Sequence, residues 1–258
     1  MSPTNVHDTS PYRPAPRTVE ELDALGVLLT RRPAVPVHLD GFLPVDQAAR
    51  LAAALRAMPD WARSPVLWDE AHRETTPVTM DEFHAAPPRR RAAVRQVARS
   101  IPALFDDDSP YAALHRESLS DFFVFAGMGP VLVELLGQWV APAGPVTTNV
   151  EFARYGTDDY LGEHSDTDSD TVFVLNLYLD EEYRQSDGGL LGFRNEEGEE
   201  TLMPPRYNSV SVMPIRPGCV HWVTPWRRTG VGRHTVSIAA SPVAGAASGA
   251  AGTGARHA

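Results

Sequence analysis

The chain has 258 residues, 43% of them hydrophobic and 22% charged, and a formal net charge of −10 from 33 acidic against 23 basic side chains. Length and balance suit one soluble globular domain, and the acidic surplus excludes a nucleic-acid surface, which needs a basic stripe against the phosphates. One cysteine, Cys219, excludes an internal disulfide and fits a reducing compartment.

The opening MSPTNVHDTS has no positive segment followed by an apolar run, and no stretch approaches the roughly 18 apolar residues of a membrane span. A cytoplasmic protein is expected. Residues 1–17 are polar and carry four prolines, so they read as a flexible arm. A single catalytic domain is expected over 18–244, with 18–144 as helical support and lid and 145–244 as a β core. Residues 245–258 are almost wholly Ala, Gly and Ser, too apolar-poor to order themselves, and read as a disordered tail.

In chain order, Thr18 with Glu21 three residues on forms a capping-box pattern and predicts a helix to about Leu29. Val45, Ala48, Leu51, Ala52 and Leu55 are spaced for a second helix from Pro44 to about Met58. Residues 59–88, rich in Pro, charge and Trp, read as a loop too long for a plain connector and hence as a lid. Helices are predicted around 89–105 and 119–139. From about Pro145 the pattern turns to short alternating runs between Gly, Pro and Asp turns. Strands are predicted near 147–154, 160–164, 171–179, 189–194, 199–203, 208–213, 218–224 and 232–240. Strands so spaced predict a sandwich or barrel of jelly-roll type, with the helices on one outer face. The fold class is thus mainly β with a helical N-terminal half.

The chemistry lies in His164-Ser165-Asp166, followed 55 residues later by His221 and 12 further on by Arg233. Two imidazoles and a carboxylate hold iron(II) on one face and leave the opposite face open. On an extended segment positions i and i+2 share a side, so His164 and Asp166 can both face a barrel mouth. Alone, a His-x-Asp pair is usually a solvated surface feature; the distal His on a strand and the all-β context favour the metal. Arg233 adds a planar fork that grips a carboxylate at two points. Together they suggest an iron enzyme that uses 2-oxoglutarate.

These residues also carry a family resemblance. Arg154-Tyr155-Gly156, Tyr160-x3-His164-x-Asp166, Tyr178-Leu179-Asp180, Gly188-Gly189-x-Leu191, His221-x-Val223-x-Pro225 and Gly232-Arg233-x-Thr235-x-Ser237 resemble the prolyl 4-hydroxylase branch of the iron(II)/2-oxoglutarate dioxygenases. Leu39 to Pro44, leading into a helix, resembles the entry of that branch. The resemblance implies a double-stranded β-helix core of cupin-like, jelly-roll form flanked by α-helices. It implies iron(II) on His164, Asp166 and His221, and O2 and 2-oxoglutarate as cosubstrates, with ascorbate as a candidate reductant. Arg233 would pair with the far carboxylate of 2-oxoglutarate, helped by Tyr178 and Ser237, with Thr235 on the same strand face and Tyr155 nearby. Halogenating relatives lack the carboxylate ligand, so Asp166 favours oxygen insertion.

Asn176 shares the strand face of Tyr178 and is a candidate substrate contact, as are Trp222 beside the third ligand and Trp61 and Trp68 in the 59–88 segment. Each also has a plain reading: a satisfied buried amide for Asn176, and packing or sealing roles for the tryptophans. Acidic residues around the first ligands (Asp158, Asp159, Glu163, Asp168, Asp170) read as a solvated loop or as a mouth that attracts a cation. The expected function is hydroxylation of an unactivated C–H bond of a small molecule, a free amino acid or natural-product intermediate. Two alternatives stand beside it: a peptidyl prolyl hydroxylase, and a non-catalytic metal-binding β-barrel. Arg233 argues against the last, since a structural metal needs no cosubstrate anchor.

Overall fold

A computed structural model describes residues 12–15, 24, 29, 32–59, 61–63, 65–69, 74–87, 90, 98–100, 110–128, 132, 146–167 and 170–243. Of the expected arm 1–17 only residues 12–15 are described, and they are anchored on the fold, with Tyr12 fully buried and its hydroxyl 2.7 Å from that of Ser118; the expected tail 245–258 lies outside the described residues. So does the helix expected from Thr18, apart from Ala24 and Leu29, which are both helical.

The strands are β1 Val37–Asp40, β2 Ala62–Arg63, β3 Val66–Asp69, β4 Glu74–Pro77, β5 Ala98–Ser100, β6 Val146–Tyr155, β7 Leu161–His164, β8 Phe173–Tyr178, β9 Leu191–Arg194, β10 Glu200–Met203, β11 Ser209–Pro214, β12 Val220–Val223 and β13 Arg233–Pro242. A seven-stranded sheet runs β1-β11-β8-β13-β6-β5-β2, a four-stranded sheet runs β10-β9-β12-β7, and β3-β4 is a separate hairpin. Their pairings are antiparallel. The two larger sheets are the halves of a double-stranded β-helix, and the eight strands expected after residue 145 appear as β6 to β13.

The period of two residues along a strand builds two cores on the large sheet. Phe152, Leu175, Leu177, Val210, Val212, Val236 and Ile238 point to one face and pack with helices α1 (Val45–Ala57) and α3 (Pro110–Phe123), using Leu51, Leu55, Leu119 and Phe122. Their neighbours one position along face the small sheet, where Leu191, Phe193, Val223 and Trp226 close a second core. Buried on both faces, β8 reads as an unbroken run, FVLNLY. Asn208 joins the layers: at φ 53°, a conformation asparagine tolerates, its side chain accepts from the Leu43 amide and donates to the Leu43 carbonyl.

The first half departs from expectation. Residues 59–88 are no loop: they hold β2 at the sheet edge, the β3–β4 hairpin, and α2 (Met80–Ala85). A capping box starts α2, with Thr79 Oγ1 accepting from the Glu82 amide and the Glu82 carboxylate accepting from Thr79 N–H. Within the helix expected at 89–105, Ala98–Ser100 form strand β5, paired with β6; most of that stretch lies outside the described residues. The helix expected at 119–139 begins at Pro110, after Ser109, and passes into a π-turn over Val124–Met128. Strand β1 was not anticipated; it extends the large sheet beside β11. Among the described residues no helix is long and apolar enough to cross a membrane.

Candidate metal centre and cosubstrate pocket

His164 ends β7 and His221 lies in β12, and the two are direct partners across these antiparallel strands. Their rings sit 4.1 Å apart between centroids. Asp166, two residues past the end of β7, brings Oδ1 to 3.7 Å from His164 Nε2 and Oδ2 to 3.4 Å from His221 Nε2. One ligand atom from each of the three lies within 4.8 Å of the others, near enough for a single ion to bridge them. The Nδ1–H of His164 donates to the Gly162 carbonyl at 2.9 Å, which leaves the Nε2 lone pair facing Asp166.

Burial, and then the neighbouring His164, push the His221 pKa down to about 3, so its imidazole is neutral and available as a ligand. The sign of the consequence for the metal-free protein is fixed. The unfolded chain, with an ordinary histidine pKa near 6.5, takes up a proton that the folded chain refuses. Stability should therefore decline as pH falls from about 6.5 towards 3. Thermal midpoints of the chelated protein against pH check this, and His221→Gln should flatten that part of the slope.

Arg233 opens β13 and is 1% exposed. Its guanidinium lies 4.5 Å from the Tyr155 ring centroid and 5.1 Å from that of Tyr178. The Nε and Nη1 of Arg233, the Tyr178 hydroxyl and the Thr235 hydroxyl are all buried and find no hydrogen-bond partner among the described residues. Burial raises the Tyr178 pKa, so the hydroxyl keeps its proton. A buried cation with idle N–H groups, flanked by two idle hydroxyls, is expensive unless an anion completes it. A carboxylate would, so the donor set fits the far end of 2-oxoglutarate.

Room for the arginine stem comes from Gly189. A Cβ there would stand 2.8 Å from both Arg233 Cδ and Trp226 Cε3, and its φ of +63° is one L-residues resist. Gly189→Ala should cost about 1–3 kcal/mol of stability and weaken 2-oxoglutarate binding severalfold. Thermal unfolding and a 2-oxoglutarate titration of the same variant check both.

A cavity of about 290 Å³ separates the sheets, lined by the triad, Tyr155, Asn176, Ser237 and, among others, Leu161, Leu191 and Val223. Ser237 donates to Asn176 Oδ1 at 2.7 Å, so in this structure that hydroxyl is engaged by the amide rather than turned to Arg233. Trp222 does not reach the cavity: it lies across Gly192, whose added Cβ would come within 2.0 Å of the indole, beside the Arg194 guanidinium on the outer face of the small sheet. Trp61 packs with His234, 5.6 Å between ring centroids, against the helical-side core and not at the mouth. Trp68 lies in β3, its side chain outside the described residues. The acidic residues near the ligands also divide. Asp159 is fully buried and accepts from the Gly156 amide, and Glu163 turns outward to Arg194.

Three features escaped the sequence reading. Glu151 and Asn149 line the cavity two and three turns of the strand pleat beyond Tyr155, a placement that the alternation 155, 153, 151, 149 carries once Tyr155 is put inside. Asp180 receives both the backbone N–H of His234 and its Nδ1, the latter at 2.7 Å, and so fixes the start of β13 beside Arg233.

Comparison with known proteins agrees with this geometry. Residues 150–239 match the 2OG-Fe(II) oxygenase superfamily. No curated protein matches the chain. A prolyl-4-hydroxylase from Pseudomonas putida superposes with a TM-score of 0.55 at 19% identity, over 85% of this chain and 98% of that one. A prolyl hydroxylase in complex with a hypoxia inducible factor oxygen degradation domain peptide fragment, from Trichoplax adhaerens, gives 0.58 at 10% identity, over 91% and 95%. SnoN, a non-heme alpha-ketoglutarate-dependent epimerase of nogalamycin biosynthesis, gives 0.55 at 14%, over 86% and 81%. With the triad, the buried arginine and the double-stranded β-helix all in place, the 150–239 core matches the 2OG-Fe(II) oxygenase superfamily in its sequence pattern and in its ligand set.

Proposed function

We propose that this oxygenase hydroxylates an unactivated C–H bond of a small molecule, a free amino acid or a natural-product intermediate. The observation that carries the cosubstrate assignment is the buried Arg233 with Nε and Nη1 unpartnered among the described residues, lying against the ring of Tyr155, which lines the same cavity as the His164–Asp166–His221 cluster. His164 Nε2, His221 Nε2 and an Asp166 carboxylate oxygen would hold iron(II). When bound, iron(II) would supply the O2 chemistry by which 2-oxoglutarate is converted to succinate and CO2 and the substrate gains a hydroxyl.

The chain's own side chains do the positioning. Arg233 grips the far carboxylate, with the Tyr178 and Thr235 hydroxyls as donors beside it. Tyr155, which lines the cavity and lies over the guanidinium, has to turn aside to admit that carboxylate. Leu161, Leu191 and Val223 line the wall and keep water from the reacting centre. Asp166 fills the position that a halide would need, which favours oxygen insertion.

A cavity of about 290 Å³ is at the small end for ligand sites, which supports a small substrate. The fold likeness to prolyl hydroxylases, one of them with a peptide, keeps a peptidyl substrate as the second reading. Succinate release under iron(II), O2 and ascorbate, across a panel of free amino acids, amines and proline-containing peptides, separates the two. Stimulation by peptides alone would overturn the first.

A further inference from the structure

The strand register sorts the inward-facing residues of the large sheet into rows. Tyr155 and Arg233 form the first; Ala153, Thr235 and Tyr178 the second; Glu151, Ser237 and Asn176 the third; Asn149, Ala239, Val174 and Met213 the fourth. Rows lie about 7 Å apart, two residues of strand. Along β6 and β13 exposure rises from the buried Tyr155 and Arg233 through the half-buried Glu151 and Ser237 to the exposed Asn149, while Val174 and Met213 stay buried, so the mouth lies at the β6 side of the fourth row. The small sheet runs the same way. Gly189 packs on the Arg233 stem, Leu191 pairs with Val223 two residues on, and Phe193 pairs with His221 two beyond that. The metal ligands therefore stand on the mouth side of the cosubstrate anchor, facing the outer rows.

We propose that Glu151 is the substrate-recognising residue and that the substrate presents to it a positively charged nitrogen, a protonated amine. This rests on the oxygenase reading of the same cavity and names its substrate class. A cosubstrate anchored at Arg233 takes the inner rows, and a substrate that reaches the metal from the mouth passes the third and fourth. Among the described large-sheet residues that line those rows, Glu151 is the one with a formal charge; Ser237 and Asn176 are neutral and bonded to each other.

Charge balance points the same way. Iron(II), Asp166, the cosubstrate dianion and Arg233 would sum to no net charge, so a carboxylate on the facing wall supplies a negative sign there. In a partly dry cavity such a sign discriminates strongly. Of the acidic residues near the first ligand, Glu163 is turned outward and Asp159 is buried in a turn, so neither of these serves instead. In a cavity this small, the carbon attacked lies within a few bonds of the nitrogen.

The test compares two probes on the protein loaded with iron(II) and 2-oxoglutarate without oxygen: piperidine, a cation at neutral pH, and N-acetylpiperidine, its neutral counterpart. Calorimetry should show piperidine bound at least about tenfold tighter by wild type, and a ratio near one for Glu151→Gln, with Glu151→Asp keeping the preference. A ratio within one protein is insensitive to a loss of folded fraction. Equal binding by wild type, or an undiminished preference in Glu151→Gln, would overturn the assignment. A Glu151-dependent preference without any amine that stimulates succinate release would support recognition by Glu151 and instead sink the small-molecule reading.

Discussion

Asp166→Ala should leave the protein folded and abolish its turnover. Asp166 is partly exposed on a loop beyond β7, so its truncation opens no core cavity, and the thermal midpoint of the metal-free protein should hold. A metal held by the cluster would lose its anionic ligand, since Asp166 reaches toward both imidazoles at 3.4 and 3.7 Å. What remains is a pair of neutral imidazoles, which hold iron(II) weakly and leave its coordination positions undefined. Removing an outer partner of a metal ligand typically costs 10–100-fold, so losing a ligand should cost at least about a hundredfold. Iron retained after dialysis, and succinate formed per minute, are the two readings. Near-normal iron content with near-normal turnover in this variant would remove Asp166 from the metal site.

Much of the core was legible because its signals are local. Eight strands after residue 145 followed from alternation and turn residues, and the triad from His164-x-Asp166 with a distal His221 on a strand. The same alternation placed Arg233, Thr235 and Ser237 on one face, where the structure has them, although Ser237 is bonded to Asn176. Misreadings cluster where tertiary pairing overrides composition. Residues 59–88 look like loop because Pro and charge are dense, yet β2 is set by its pairing with β5, which itself lies on the edge of β6, a partner far off in sequence. The capping box at Thr79-x-x-Glu82 and the Ser109-Pro110 helix start were readable signals that the composition outweighed. Trp61 and Trp222 were drawn to the site by nearness in sequence to expected features; strand alternation puts Trp222 on the face opposite His221, and His234 claims Trp61. Glu151 was missed for a different reason. A lone acid on a strand carries no motif, and only the register opposite Ser237 gives it a place.

Arg233→Leu should separate stability from cosubstrate binding, moving them in opposite directions. In the protein without cosubstrate, the guanidinium is buried at 1% exposure with Nε and Nη1 unpartnered among the described residues, and the faces of Tyr155 and Tyr178 offset part of its desolvation. Replacing a poorly compensated buried charge by an apolar side chain of lesser reach is commonly neutral or stabilising. The thermal midpoint of the ligand-free variant should therefore equal or exceed that of wild type. Binding runs the other way, because the far carboxylate of 2-oxoglutarate would be buried against leucine with only the Tyr178 and Thr235 hydroxyls to meet it. The loss is on the order of 2–5 kcal/mol. At 1.4 kcal/mol per factor of ten, the 2-oxoglutarate concentration for half-maximal turnover should rise about 30-fold or more. Iron content should be unchanged, since none of the three ligands is touched. An unchanged 2-oxoglutarate requirement would mean that another residue holds the carboxylate, and a lowered midpoint would mean that the guanidinium stabilises the empty fold.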